Sequence, residues 1–155
     1  EEKEINPATS NEDKQSNQEL EPEKRNDTSE LDTRLRPVFM GAIGGLRMAR
    51  KLFKADKFAL TLQRINETLI TFLTNLAEKY ETGVELQEDT LEDIIRSLSD
   101  SGLPLPPDKT AITWISELAI ESMDGQTPVS RERALRALQD AVSFLKETAK
   151  IFHVE

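Results

Sequence analysis

The stretch FALTLQRINETLITFLTNLAEKY, residues 58–80, decides the fold class. Its large apolar side chains recur every three or four positions, which is the spacing of one face of an α-helix. This stripe consists of Phe58, Leu62, Ile65, Leu69, Phe72 and Leu76. Further apolar residues lie beside it, at Leu60, Ile70 and Leu73, so the apolar face is wider than a coiled-coil seam. The pattern therefore predicts a long helix that is buried in a helical bundle.

The same rhythm returns near the end of the sequence. Six apolar residues again follow one another at steps of three or four: Leu135, Leu138, Val142, Leu145, Ala149 and Phe152. We expect a second long helix here, buried in the bundle through this stripe. Thr127 is its predicted cap and Pro128 its predicted first-turn residue, and the helix should run to about Phe152.

Turn and cap signals divide the rest of residues 34–155 into further helices. Apolar spacing is helical from Val38 onward, and a short helix is expected over about residues 89–99, capped by Asp89 or Thr90. A proline-rich connection then separates it from a helix of about residues 108–123. No strand pattern competes. The sequence predicts an all-α fold in which four long helices and one short helix form a compact bundle.

Residues 1–33 differ in character from the rest. They hold eleven acidic and four basic residues, few apolar side chains and no aromatic one. Such a stretch buries too little apolar surface to offset the loss of backbone entropy on folding, about 1–2 kcal/mol per residue. We therefore predict a disordered acidic N-terminal tail over residues 1–33 and a helical domain over residues 34–155.

The composition excludes several classes of site. The chain has a net charge of −9, no cysteine and one histidine. Without cysteine there is no disulfide, no Cys-ligated zinc and no thiolate nucleophile. The single histidine, His153, stands next to the end of the sequence, where a catalytic triad is hard to hold. Gly41–Gly45 matches no phosphate-binding loop. We therefore expect no enzyme activity, no cofactor and no metal site.

Nucleic acid is not an expected partner, and no membrane span is expected. Residues 110–138 follow the outline of a helix-turn-helix, but Glu121 and Arg131 stand where that motif needs a small and a branched apolar residue. An acidic domain also repels phosphate. The longest uncharged runs are ten residues, whereas a spanning helix needs about 20. We expect a soluble protein, and the sequence assigns it no compartment.

The most informative segment is residues 34–57, which carry seven basic residues and one acid. Helical spacing places four of the cations on one face and much of the apolar content on another. Together they form the candidate interaction surface: Arg47, Arg50, Lys51, Lys54, Phe39, Ile43, Leu46 and Phe53.

Three interpretations of this segment stay open: an ordinary bundle helix with its charges in water, a protein-docking surface, and a helix lying on an anionic membrane surface. The predicted function is a non-enzymatic helical protein–protein interaction module, an adaptor or a regulatory or structural subunit, whose partner is another protein. The alternative is a peripheral membrane protein that uses residues 38–54. Opposite charges suggest the hypothesis that the tail covers the basic surface. The apolar stripes can close within one chain or between two, so a homo-oligomer is also an alternative.

Overall fold

Helices account for the regular structure of the described part of the chain. The computed structural model describes residues 22–80, 90–125 and 127–154, with side chains from Thr33 onward. The helices of these residues are α1 (Pro22–Lys54), α2 (Phe58–Lys79), α3 (Leu91–Asp100), α4 (Thr113–Ser122) and α5 (Arg131–Phe152). A short 3-10 helix, Lys109–Ile112, leads directly into α4. For these residues the predicted all-α fold, with five packed helices, is confirmed.

The chain divides into two units between Thr33 and Arg34. Arg34–Glu155 is one compact unit. In Glu1–Thr33 the structure describes a helical backbone from Pro22, so α1 begins earlier than the helix predicted from Val38. Proline suits the first position of a helix, because its missing N–H has no helical partner there. The predictions for residues 1–21, including disorder and the covering of the basic surface, lie outside the described residues.

Helix α2 lies at the centre of the bundle and packs against α3, α4 and α5. Most of its predicted stripe is buried: Leu62, Ile65 and Leu69 are fully inaccessible to solvent. The Phe72 ring meets those of Phe39 in α1 and Phe144 in α5, with centroids 5.0 and 6.4 Å apart. These edge-to-face contacts join three helices at one point of the core.

Helices α1 and α2 approach each other closely at Gly45. A Cβ at this position would overlap the side chain of Thr68, whose hydroxyl donates a 2.7 Å hydrogen bond to the Arg64 carbonyl and is thereby fixed. At Gly44, in contrast, a Cβ would meet no atom of the described residues. The absence of a side chain at Gly45 therefore sets how near α1 lies to α2.

The connection to α4 winds more tightly than the sequence predicts. Of the two predicted caps of α3, Thr90 is the N-cap, its side chain accepting a 3.3 Å hydrogen bond from the Asp93 N–H. After the prolines, the Lys109 and Ala111 N–H groups donate to carbonyls only three residues back, which is the 3-10 pattern. Helix α4 therefore begins at Thr113, and it is shorter than the predicted helix of residues 108–123.

Both ends of α5 are closed by local hydrogen bonds. Ser130 is the N-cap, because its side chain accepts a 3.1 Å hydrogen bond from the Arg133 N–H. The predicted cap at Thr127 is therefore wrong, and Pro128 precedes the helix. At the other end, His153 takes a left-handed conformation with φ of 58°. The Val154 N–H then donates back to the Ala149 carbonyl, which turns the Val154 side chain toward the protein.

The face that α5 turns toward the bundle is made largely of small residues. Ala134, Ala137 and Ala141 are fully buried, and Phe144 and Thr148 continue this face. The stripe predicted to be buried is displaced from it by about one position, or 100° around the helix. In that stripe Leu135 and Val142 are only half-buried. Its predicted burial is therefore wrong in part, because the alanines occupy the innermost positions.

Candidate functional site

Helices α1 and α5 run antiparallel. The guanidinium of Arg131, the first residue of α5, lies 5.0 Å from the ring centroid of Phe53, near the end of α1. At its other end, α5 meets the end of α2 through the rings of Phe152 and Tyr80, 5.3 Å apart. Because α2 folds back along α1, this contact gives the same orientation. The two helices leave an elongated groove between them.

The first section of this groove is a cavity of about 310 Å³. Apolar side chains form most of its lining: Phe39, Met40, Ile43, Leu46, Leu138, Val142, Leu145, Ala149 and Val154. The other described lining residues are basic: Arg36, Arg47, Arg50 and Lys146. Within the described part of the chain, this section therefore presents apolar surface and positive charge.

A second section continues along the same two helices, with a volume of about 710 Å³. It shares Arg50, Leu138, Val142 and Lys146 with the first section. Three further cations line it, namely Lys54, Arg131 and Lys150, and among the described lining residues Glu147 alone is acidic. We call the two sections together the α1–α5 groove.

The α1–α5 groove has a recessed apolar base and exposed edges. Phe39, Leu138 and Leu145 are only 5 to 7% exposed, so they lie deep between the helices. Met40 is 58% exposed at the edge, where its flexible thioether side chain can adapt to the shape of an occupant. Most of the lining cations are exposed. Such an arrangement can bind an apolar surface at its base and anionic groups along its edges.

The structure brings most of the candidate residues predicted on α1 into this groove. The residues that line it are Phe39, Ile43, Leu46, Arg47, Arg50, Phe53 and Lys54. Lys51 is exposed on another part of α1 and does not line it. Two of the apolar members, Phe39 and Leu46, also belong to the core.

Sequence reasoning missed the α5 side of the groove. Leu138, Val142, Leu145 and Lys146 line it, although they are about 90 positions distant from their α1 counterparts in the chain. The signal was present, because the three apolar residues belong to the predicted stripe. That stripe was assigned to the bundle interior, and nothing in its spacing indicates that α1 lies beside it.

Three further observations bear on function. In the parts that the structure describes, no three His, Asp or Glu side chains gather as metal ligands. No helix within those parts combines the length and apolar content that crossing a membrane requires. No family model, curated protein or solved structure matches the chain. The functional proposal therefore depends on the groove.

Proposed function

We propose that this chain is a non-enzymatic helical protein–protein interaction module that binds another protein in the α1–α5 groove. The observation that carries the proposal is the lining of the first section, where every described residue is apolar or basic. Apolar grooves between helices are a common docking site for the apolar face of a partner helix. The described lining side chains of this section include no carboxylate, hydroxyl or imidazole to work with Lys146 as an acid, base or nucleophile, which favours binding over catalysis.

The burial of the apolar face of α1 in the bundle favours a protein partner over a membrane surface. A helix that lies in a membrane interface buries its apolar face in lipid. In α1 that face is already used: Phe39 and Leu46 are 5% and 7% exposed and contribute to the core. Insertion of residues 38–54 would therefore require α1 to leave the bundle and to expose the ring of Phe72.

The test compares the wild-type chain with one groove variant and one matched control. Val142→Asp introduces a charge into the apolar lining, whereas Ile120→Asp makes the same kind of change on α4, where the side chain is 45% exposed. Each chain is immobilised in equal amount, and proteins retained from a lysate of the source organism are quantified. Binding of each retained protein is then repeated with purified components.

We expect a purified partner to bind the wild-type chain and Ile120→Asp with equal affinity and to bind Val142→Asp at least about tenfold more weakly, as for loss of a central interface contact. Circular dichroism verifies that both variants are folded. Equal binding to all three chains contradicts the proposal. So does flotation of the wild-type chain with phosphatidylserine vesicles that is lost in Arg47→Glu/Arg50→Glu, because it assigns the surface to a membrane.

A further inference from the structure

Positive charge is concentrated along both edges of the α1–α5 groove. Four lining cations belong to α1 and three to α5: Arg36, Arg47, Arg50, Lys54, Arg131, Lys146 and Lys150. Of the lining residues that the structure describes, one is acidic, Glu147, although the whole chain has a net charge of −9. The groove is therefore a basic region of an acidic protein, and an occupant is exposed to positive charge from both sides.

Two of the groove cations on α1, Arg47 and Arg50, differ from arginines elsewhere in the same unit. Arg64, Arg96 and Arg136 each form an ion pair within their own helix, with N–O distances of 3.0 to 3.3 Å. Arg47 and Arg50 form no ion pair with any carboxylate of the described residues. Anionic groups of an occupant can therefore approach these guanidinium groups without displacing a carboxylate of the described chain.

The dimensions of the groove fit a helix. From Arg36 to Lys54 its lining extends over 18 helical steps, or about 27 Å at 1.5 Å per residue, which corresponds to five turns of a partner helix. The apolar base lies below two exposed basic edges, so a narrow rod reaches it more readily than a flat bilayer surface does. A second copy of this chain would present the same basic groove across a symmetric contact, and like charges would oppose that contact.

From these observations we infer that the occupant of the α1–α5 groove is an amphipathic helix of another protein, with acidic residues along both sides of its apolar stripe. The apolar stripe lies against Met40, Ile43 and Val142, which keep exposed apolar surface in the groove, and the flanking carboxylates face the cations of α1 and α5. The inference rests on the proposed function and adds the chemistry of the partner to it. Charge complementarity of this kind favours one class of helix and speeds its association.

A displayed library of helices tests the chemistry of the occupant directly. Each member has about 18 residues, a fixed apolar stripe, and flanking positions that encode Glu, Lys or Gln. The library is selected in parallel on four full-length chains: the wild type, Val142→Asp, the matched control Ile120→Asp, and the charge-reversed triple variant Arg47→Glu/Arg50→Glu/Lys146→Glu. The reversed residues are exposed, so this variant tests charge with little effect on folding.

We expect the wild type and Ile120→Asp to enrich Glu over Lys at the flanking positions by about tenfold or more, and the charge-reversed variant to enrich Lys instead. The affinity of a selected acidic helix should fall about fivefold or more between about 50 and 300 mM salt, because exposed charges are screened. Val142→Asp should recover few helices of any charge.

The possible failures separate the two proposals. If the wild type recovers Glu-flanked and Lys-flanked helices equally, and both are lost on Val142→Asp, the groove binds helices but the acidic partner is wrong. If no helix is recovered above the Val142→Asp background, the proposed function itself fails. Self-association of the wild type in sedimentation, abolished by Val142→Asp, would identify a second copy as the occupant and would overturn the inference.

Discussion

Helices α2 and α5 have the same length of 22 residues and carry apolar stripes of the same spacing, yet the two stripes have different surroundings. In α2 the stripe points into the core, where Leu62, Ile65 and Leu69 are inaccessible to solvent. In α5 the corresponding stripe lines a groove, and Leu135 and Val142 are half-buried there. Three fully buried alanines, Ala134, Ala137 and Ala141, form the first half of the core side of α5.

The difference shows that side-chain size on the neighbouring positions decides which face of a helix is innermost. Alanines at 134, 137 and 141 let the α5 backbone approach α2 and the 3-10 helix closely. The larger residues of the stripe follow these alanines by one position in the sequence. They cannot occupy the same narrow space, so they lie about 100° away around α5. A periodic apolar stripe therefore indicates that a face is apolar, but it does not indicate what covers that face.

Truncation in the α2 stripe should have the largest effect. Phe72→Ala removes a ring that contacts both Phe39 and Phe144 and leaves a cavity, so we expect a loss of about 3–5 kcal/mol in the free energy of unfolding. Leu69→Ala in the α2 stripe and Leu135→Ala in the α5 stripe form a matched pair, and the second should cost less than about half as much because Leu135 is half-buried whereas Leu69 is inaccessible to solvent. Urea denaturation followed by circular dichroism measures these losses. Equal losses in the matched pair would remove the distinction between the two stripes.

Enlargement of the alanine face should have the next largest effect. Ala137→Leu introduces a larger side chain where no space is available, and we expect it to destabilise the fold by about 1–3 kcal/mol. Ala149→Leu is the matched control, because Ala149 lines the groove and is only half-buried. Thermal unfolding should show a lowered midpoint for the first variant and little change for the second. The opposite order would mean that the groove side of α5 is the tighter one.

Replacing Gly45 by alanine has two opposing effects on stability. Alanine has the higher helix propensity, but its methyl group overlaps a neighbouring side chain at the contact of α1 with α2. Gly45→Ala should destabilise the protein by about 1–2 kcal/mol, because the added Cβ displaces Thr68 or moves the helices apart. Gly44→Ala is the matched control and should stabilise α1 by up to about 1 kcal/mol, since nothing among the described residues obstructs the methyl group. The double variant Gly45→Ala/Thr68→Ala should recover part of the loss, because it removes the two Thr68 atoms nearest to the added Cβ. Stabilisation by Gly45→Ala would show that α1 lies further from α2.

The smallest expected effect on stability concerns the N-caps of α5 and α2. Ser130→Ala removes the side-chain cap of α5, and we expect a loss of about 1 kcal/mol. Helix α2 begins after Lys57, which makes no side-chain cap hydrogen bond, so Lys57→Ala should leave stability nearly unchanged. Chemical denaturation of both variants provides the comparison. An equal response would show that the Ser130 hydroxyl contributes nothing to α5.

The sequence was sufficient for the helical elements and for much of the core, because both depend on local spacing. The stripe of α2, the Thr90 cap and the break at the prolines all follow from neighbouring residues. The cap of α5 was misplaced because Thr127 and Ser130 are both good capping residues, and the choice depends on where the backbone turns. On α1 the candidate surface follows from the helical spacing of its cations together with that of its apolar residues.

The α5 half of the groove could not be predicted in the same way. It depends on two helices about 90 residues apart in the sequence lying side by side. It also depends on alanines taking the inner positions of α5, a preference that an apolar stripe of large residues conceals. Pairing of distant segments is a property of packing, and a single sequence contains no direct record of it.

The alanine face of α5 has a consequence for how such a protein can change during evolution. Because that face attaches α5 to the bundle, side chains on the groove side, such as Leu135, Val142 and Ala149, can be exchanged without rebuilding the core. Selection for a new binding partner and selection for a folded framework then act on different positions of the same helix. Mutations that alter recognition are thereby less often lost through unfolding.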